Sequence, residues 1–225
     1  MTYEYIILNI IIISGPLILS FDRKVQYYRR WKTTLIAILT VMIPFAVWDI
    51  LVSGKHWWFN ENYTIPFRLA GLPPGEWLFF ISAPFAVLFI WEIIDKRMGN
   101  PVNPALTSIK YVFMALGLPG IVFLILGKEY TGFTLLALSI AGLLDYLLRT
   151  EVLARRRIFL FLGILMILTL IFNGYLTARP IVLYDYEYQM DWQIFTIPIE
   201  DFGYGLALIL LNTILFEKLK GVRHG

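Results

Sequence analysis

Long apolar runs interrupted by short polar clusters set the pattern of this chain. Charge-free apolar stretches cover residues 5–21, 33–48, 77–91, 111–127, 130–144, 158–178 and 192–199, the last continuing past Glu200 and Asp201 into 202–216. About 20 residues of helix are needed to cross the roughly 30 Å hydrocarbon core of a bilayer. The runs therefore predict an all-α integral membrane protein of seven helices, the last over 202–216. The third and seventh runs are charge-free for only 15 residues, so carboxylates must sit at or inside the membrane boundary there.

Basic residues fix the expected orientation. Across an odd number of spans, fifteen of the nineteen Lys and Arg fall on one side, and only Lys55, Arg68, Lys128 and Arg179 on the other. The positive-inside rule then puts the C-terminus in the cytoplasm and the N-terminus outside, as in a multi-pass protein of the cell membrane. Glu4 is the only charged side chain before Asp22, so the first span lacks the basic lead-in of a cleaved signal and is expected to be retained.

The two ends of the chain echo each other. Gly71-Leu72-Pro73-Pro74-Gly75-Glu76-Trp77 matches Thr196-Ile197-Pro198-Ile199-Glu200-Asp201-Phe202, and the register holds, with Glu92 following Glu76 and Glu217 following Asp201 by 16 residues each. Trp48-Asp49 faces Phe172-Asn173 in the same comparison. A three-helix unit is thus used twice, over 1–95 and 129–225, joined by a linking helix within 96–128. An odd linking helix makes the repeats parallel, related by an axis along the membrane normal, and puts both Pro-containing motifs on the non-cytoplasmic side.

Composition narrows the chemistry. The chain has 225 residues, 59% hydrophobic and 16% charged, with no cysteine and two distant histidines. Thiolate chemistry and the usual zinc sites are excluded, no phosphate-binding glycine loop occurs, and neither a cofactor nor a metal is expected. The net charge of +3 sits in clusters between spans and marks topology rather than nucleic-acid binding. A retinal protein would need a lysine in the seventh span, and none lies between Phe202 and Phe216.

What remains is the carboxylates. Glu76 and Asp201, with Glu200 beside it, fall in the first turns of two helices expected to face each other. Taken singly, each is an ordinary acid favoured by the helix dipole. Taken together, acids within a membrane are costly and mark function. Asp49, which ends the second span on the same side, is a fourth candidate. Asp22, Asp145, Glu92 and Glu217 lie among basic residues at the other side, where simple pairing accounts for them. Aromatics near the acids, Trp77, Phe79, Phe80, Trp192, Phe202 and Tyr204, are candidates for walls of a pocket that holds a flat apolar ligand or stabilises a carbocation.

Ser20-Phe21-Asp22, Trp48-Asp49, the run from Leu72 through Phe80 and Ile197-Pro198-Ile199-Glu200-Asp201 resemble the membrane-embedded lycopene cyclase family. In that family each of two tandem halves carries a Pro-x-Glu-(Glu/Asp) motif, and this chain is similar to the fused, single-chain form. Pro198, Glu200 and Asp201 fit the motif fully. In the first half Gly75 stands at the first motif acid and only Glu76 remains. The resemblance implies acid–base isomerisation of the ψ ends of lycopene to β-ionone rings, with Glu76, Glu200, Asp201 and Asp49 as the acids, no cofactor, and a linear carotenoid and membrane lipid as partners. The divergence at Gly75 leads to the expectation that Glu200 supplies more of the proton chemistry than Glu76. Two alternatives stand beside it: another carotenoid- or isoprenoid-modifying enzyme on this scaffold, and a membrane transporter with parallel three-helix repeats.

Overall fold

The computed structural model describes residues 3–222. Arg223, one of the fifteen cations counted above, and His224 lie outside the described residues. Helices dominate: α1 Glu4–Leu19, α2 Trp31–Val52, α3 Pro74–Met98, α4 Ile109–Ala115, α5 Gly117–Ile125, α6 Glu129–Leu148, α7 Ile158–Leu168, α8 Gly174–Ala178 and α9 Ile199–Val222. Six stretches are long and apolar enough to cross a membrane: Tyr27–Val52, Pro74–Met98, Pro104–Ile125, Glu129–Leu148, Ile158–Ala178 and Ile199–Gly221. α1 is apolar but only 16 residues long, about 24 Å at 1.5 Å per residue. It falls short of the roughly 30 Å core unless flanking residues or a locally thinner bilayer make up the difference.

The two acid-bearing helices, α3 and α9, each start three residues earlier than their charge-free runs. In α3 the Pro73-Pro74 pair sets the start, because the residue before a proline is pushed into extended backbone. Pro73 accordingly caps the helix with ψ 156° and Pro74 is its first residue, where a missing N–H costs nothing. Glu76 falls in that first turn, and Glu200 and Asp201 in the first turn of α9. Residues 192–199 are not a membrane run. They fold as a hairpin of β3 Gln193–Ile194 and β4 Ile197–Pro198, with Gln193 opposite Pro198 and Ile194 opposite Ile197. Phe195 takes a left-handed φ of 59° in its tight turn.

α1 packs along α3 and α6 along α9, while α2 lies against both α3 and α9. α3 and α9 are the most enclosed of the spans; Pro104–Ile125, whose α4 and α5 pack on α6, is the most exposed. The central helices run in the same direction. Their first turns meet at one end, and at the other Lys220 of α9 bonds Glu92 of α3 at 2.6 Å. Between these ends the core is apolar, with Phe80, Leu88 and Trp91 of α3 and Leu210, Ile214 and Phe216 of α9 fully buried or nearly so.

The Lys220 end is an ion-paired network. Glu217 accepts the indole N–H of Trp91 at 3.0 Å and is paired with Arg155 at 3.2 Å and Lys220 at 2.9 Å. Asp145 receives Thr150 and the backbone N–H groups of Val152 and Leu153. At the acid end a short ladder covers the bundle: β1 Trp57–Phe59 pairs antiparallel with β2 Val182–Tyr184, Trp58 opposite Leu183. His56 beside it is buried, with Nε2 2.9 Å from Glu129 and its ring stacked on Tyr188. Burial is the main cause that lowers its pKa from the ordinary imidazole value.

Candidate active site

Beneath that ladder lies a cavity of about 340 Å³, open on one side and walled mostly by apolar side chains. Its floor at the ladder end carries three carboxyls: Glu76 from α3, Asp49 from α2 and Asp201 from α9. They are buried, between 2% and 7% exposed. Helix starts and ends put them there. Glu76 and Asp201 occupy the first turns of neighbouring helices, and Asp49 is one turn from the end of α2.

Each carboxyl is held by neutral donors. The hydroxyl of Tyr5 donates to Glu76 Oε2 at 2.5 Å, and that of Tyr204 to Asp49 Oδ1 at 3.0 Å. The carboxyls of Asp49 and Glu76 are adjacent to each other. Asp201 receives three donors: Tyr130 on Oδ1 at 2.6 Å, and Tyr184 at 2.7 Å and Asn173 at 2.6 Å on Oδ2. Among the described residues, no Lys, Arg or His nitrogen forms an ion pair with any of the three. Tyr184, in the loop strand, has its pKa raised well above the phenol value, by burial first and then by the charge of Asp201.

The backbone supports this arrangement. A π-helical turn at Thr169–Asn173 interrupts the span between α7 and α8. Such turns rotate the following side chains out of α-helical register, and here Thr169, Phe172 and Asn173 all line the cavity. On the other side, Asn9 of α1 donates to the carbonyls of Tyr5 and Gly75 and accepts from Ser82, tying α1 to α3 beside Glu76. Gly75 is required by closeness: a Cβ there would lie 2.6 Å from ring atoms of Tyr5.

Of the residues singled out in the sequence, Glu76, Asp49, Asp201, Phe79 and Tyr204 line the cavity. Glu200 does not. It is buried behind the wall, with Oε1 accepting from Thr131 at 2.5 Å and from the Met190 N–H at 2.8 Å. Phe80 is in the closed core and Phe202 is buried beside the site without lining it. Trp77 turns its indole N–H to the Leu69 carbonyl at 3.2 Å. Trp192 is 69% exposed in the hairpin region. On α3, Glu76, Phe79, Ala83, Ala86, Val87 and Ile90 face the cavity; Trp77 falls off that stripe, while Phe80, at its edge, is buried in the core. Tyr5, Tyr130 and Tyr184 escaped the sequence reading, and Asn173 entered it only as the residue facing Asp49. The signal existed, since Tyr5 precedes Glu76 and Tyr130 precedes Asp201 by the same 71 residues.

Comparisons with known proteins bear on the same repeat. The lycopene cyclase family model matches twice, over residues 2–94 and 127–219. Neither curated proteins nor solved structures give a match. The two matched stretches are of equal length and displaced by 125 residues, from 2 to 127 and from 94 to 219. That displacement carries Tyr5 onto Tyr130, Glu76 onto Asp201 and Trp58 onto its ladder partner Leu183, so the internal repeat and the cavity share one register. With most of its length matched by the two copies, the chain belongs to the lycopene cyclase family.

Proposed function

We propose that the protein cyclises the ψ end groups of lycopene to β-ionone rings. The observation that supports it best is the meeting of three carboxyls, drawn from both halves of the chain, at one end of an apolar cavity with aromatic walls. The reaction needs a proton donor, an anion near the developing cation and a proton acceptor, in a space that excludes water.

The Asp49–Glu76 pair suits the donor. Each takes one phenolic hydrogen bond, and two adjacent carboxyls share protons as a unit rather than titrating singly. The shared proton goes to the less substituted carbon of the terminal double bond, leaving a tertiary cation on its neighbour. The next double bond attacks that cation, closing a six-membered ring and moving the positive charge to a ring carbon. Loss of the proton from the ring carbon that bears the polyene gives the ring double bond, and the Asp49–Glu76 pair recovers the proton. No electron is gained or lost. Asp201, its oxygens occupied by three donors, acts as the fixed anion that stabilises the cation. Phe79 and Tyr204, which also line the cavity, supply aromatic rings able to do the same.

The membrane arrangement supported by the charge split is seven spans, α1 included, as two parallel three-helix repeats over 1–95 and 129–225 with a linking helix in 96–128, the N-terminus outside and the C-terminus cytoplasmic. The acid end of the cavity then lies toward the outer leaflet. Expressing the chain in a lycopene-accumulating bacterium and chromatographing the pigments tests the function. Cyclic carotenoids are expected; unchanged lycopene in cells that hold the protein in their membranes would overturn it.

A further inference from the structure

A tandem protein invites the idea of two sites, one for each end of a symmetrical substrate. The structure has both halves meeting in a single cavity instead: Glu76 and Asp49 come from the first, Asp201 from the second. A second cleft among the described residues, at the ion-paired end, is lined by Arg149, Arg155, Lys218 and Lys220 around Glu217, with Leu148 beside them, and it has neither the aromatic walls nor the buried carboxyls of the first.

The size of the cavity limits what it can hold. An apolar cavity of about 150 Å³ takes one benzene ring, so about 340 Å³ seats roughly thirteen or fourteen carbons by the same proportion. That is one end group and a few further chain atoms of a C40 polyene. The cavity's long dimension agrees. On α3 its lining runs from Glu76 to Ile90 and on α1 from Tyr5 to Pro16, about 21 Å and about 16 Å at 1.5 Å per residue. Pro16 of α1 and Met166 of α7 mark the end away from the acids, and the cavity is open-sided. Most of the chain therefore stays outside, in lipid, while one end reacts.

We infer that each visit to the site closes one ring, and that the half-cyclised carotenoid leaves for the lipid and re-enters by its other end before a second ring can form. The inference rests on the cyclase reading. Each visit is proton-neutral, with one proton delivered and one recovered, so nothing in the site needs to be replenished between visits.

The test uses the full-length protein in lipid vesicles loaded with deuterated lycopene, sampled over time by chromatography with mass detection. When the monocyclic product peaks, vesicles carrying a tenfold excess of unlabelled lycopene are fused in. Labelled monocyclic carotenoid is expected to appear before any bicyclic product, and the chase is expected to slow its further conversion several-fold, because it must compete for re-entry. A monocyclic product that persists with no second ring agrees equally. Labelled bicyclic product that forms without a lag and is indifferent to the chase would overturn the inference and leave the cyclase reading standing. Absence of any ring would instead remove the cyclase reading itself.

Discussion

The two halves of the site are built to one plan and finished differently. In the first, Tyr5 bonds Glu76 and a second acid, Asp49, stands alongside; in the second, Tyr130 bonds Asp201, the 125-residue displacement puts Gly174 at the position of Asp49, and the neighbouring Asn173 donates to Asp201. Phe59 and Phe79 of the first half correspond to Tyr184 and Tyr204 of the second by the same 125-residue displacement. The first half thus has two carboxyls and few donors, and the second has one carboxyl and several donors. A group that must give up a proton and a group that must remain an anion call for those opposite surroundings, which a duplicated and then diverged site can supply at one cavity.

The assignment fails first, and by most, at the donor. Glu76→Gln and Asp49→Asn each keep the side-chain volume and remove the acid, so ring formation in membranes is expected to fall by about 10²–10⁴-fold, the usual contribution of a positioned general acid. Protein level and extraction in detergent should match the unchanged chain. Either variant retaining more than a tenth of the activity would take the donor role from this pair.

Next in size is the anion. Asp201→Asn leaves a neutral amide facing the cation and puts an NH₂ group against the donors Tyr130, Tyr184 and Asn173. About 10²-fold loss is expected, the scale of losing one preorganised electrostatic contact. Pigment analysis at matched protein level checks it. A loss of about 10²–10⁴-fold here, with Glu76→Gln little affected, would exchange the roles of the two halves.

Gly75 sharpens the comparison at the next level down. Its partner in the second half is Glu200, and Gly75→Glu would restore the family motif. The structure opposes it, because the new Cβ meets the Tyr5 ring at 2.6 Å and must push away the phenol that bonds Glu76. Activity is expected to drop about tenfold, with overpacking of about 1–3 kcal/mol lowering thermal stability as well. A several-fold rise in ring formation would show that the halves want to be alike.

Much of this was legible before any coordinates. Apolar runs located the spans, because bilayer thickness imposes length and composition together, and the proline-led motifs marked Glu76, Glu200 and Asp201 while the end of the second run marked Asp49, because acids at such boundaries are costly enough to stand out. The aromatic walls were legible only in part. Trp77 is next to Glu76 in sequence, yet helical rotation turns it to the loop, and Phe80, one turn on, is taken up by the closed core. The tyrosines that hold the acids sit more than a dozen residues away on other elements, and Tyr184 reaches Asp201 only because β2 crosses over the acid end of the cavity. The run at 192–199 gave no sign of its hairpin, because a short apolar hairpin has the same composition as a helix start.

The smallest effect is expected where the motif alone suggested the largest. Glu200 fits the family pattern fully and, on sequence, outranks Glu76 as the proton source. In the structure its Oε1 is taken by Thr131 and by the Met190 N–H, and its side chain does not line the cavity. Glu200→Gln keeps an oxygen for both donors and much the same volume, so the loop at Met190 stays tied to the start of α9. Ring formation is expected to change by less than about threefold, with Glu200→Ala costing more because it leaves the Thr131 hydroxyl and a backbone N–H unpaired, about 1–3 kcal/mol for each buried group. Measuring both variants beside Glu76→Gln separates the two ideas. A Glu200→Gln loss as large as that of Glu76→Gln would mean that the proton passes through Glu200 before it reaches the cavity, and the division of labour between the halves would then run the other way.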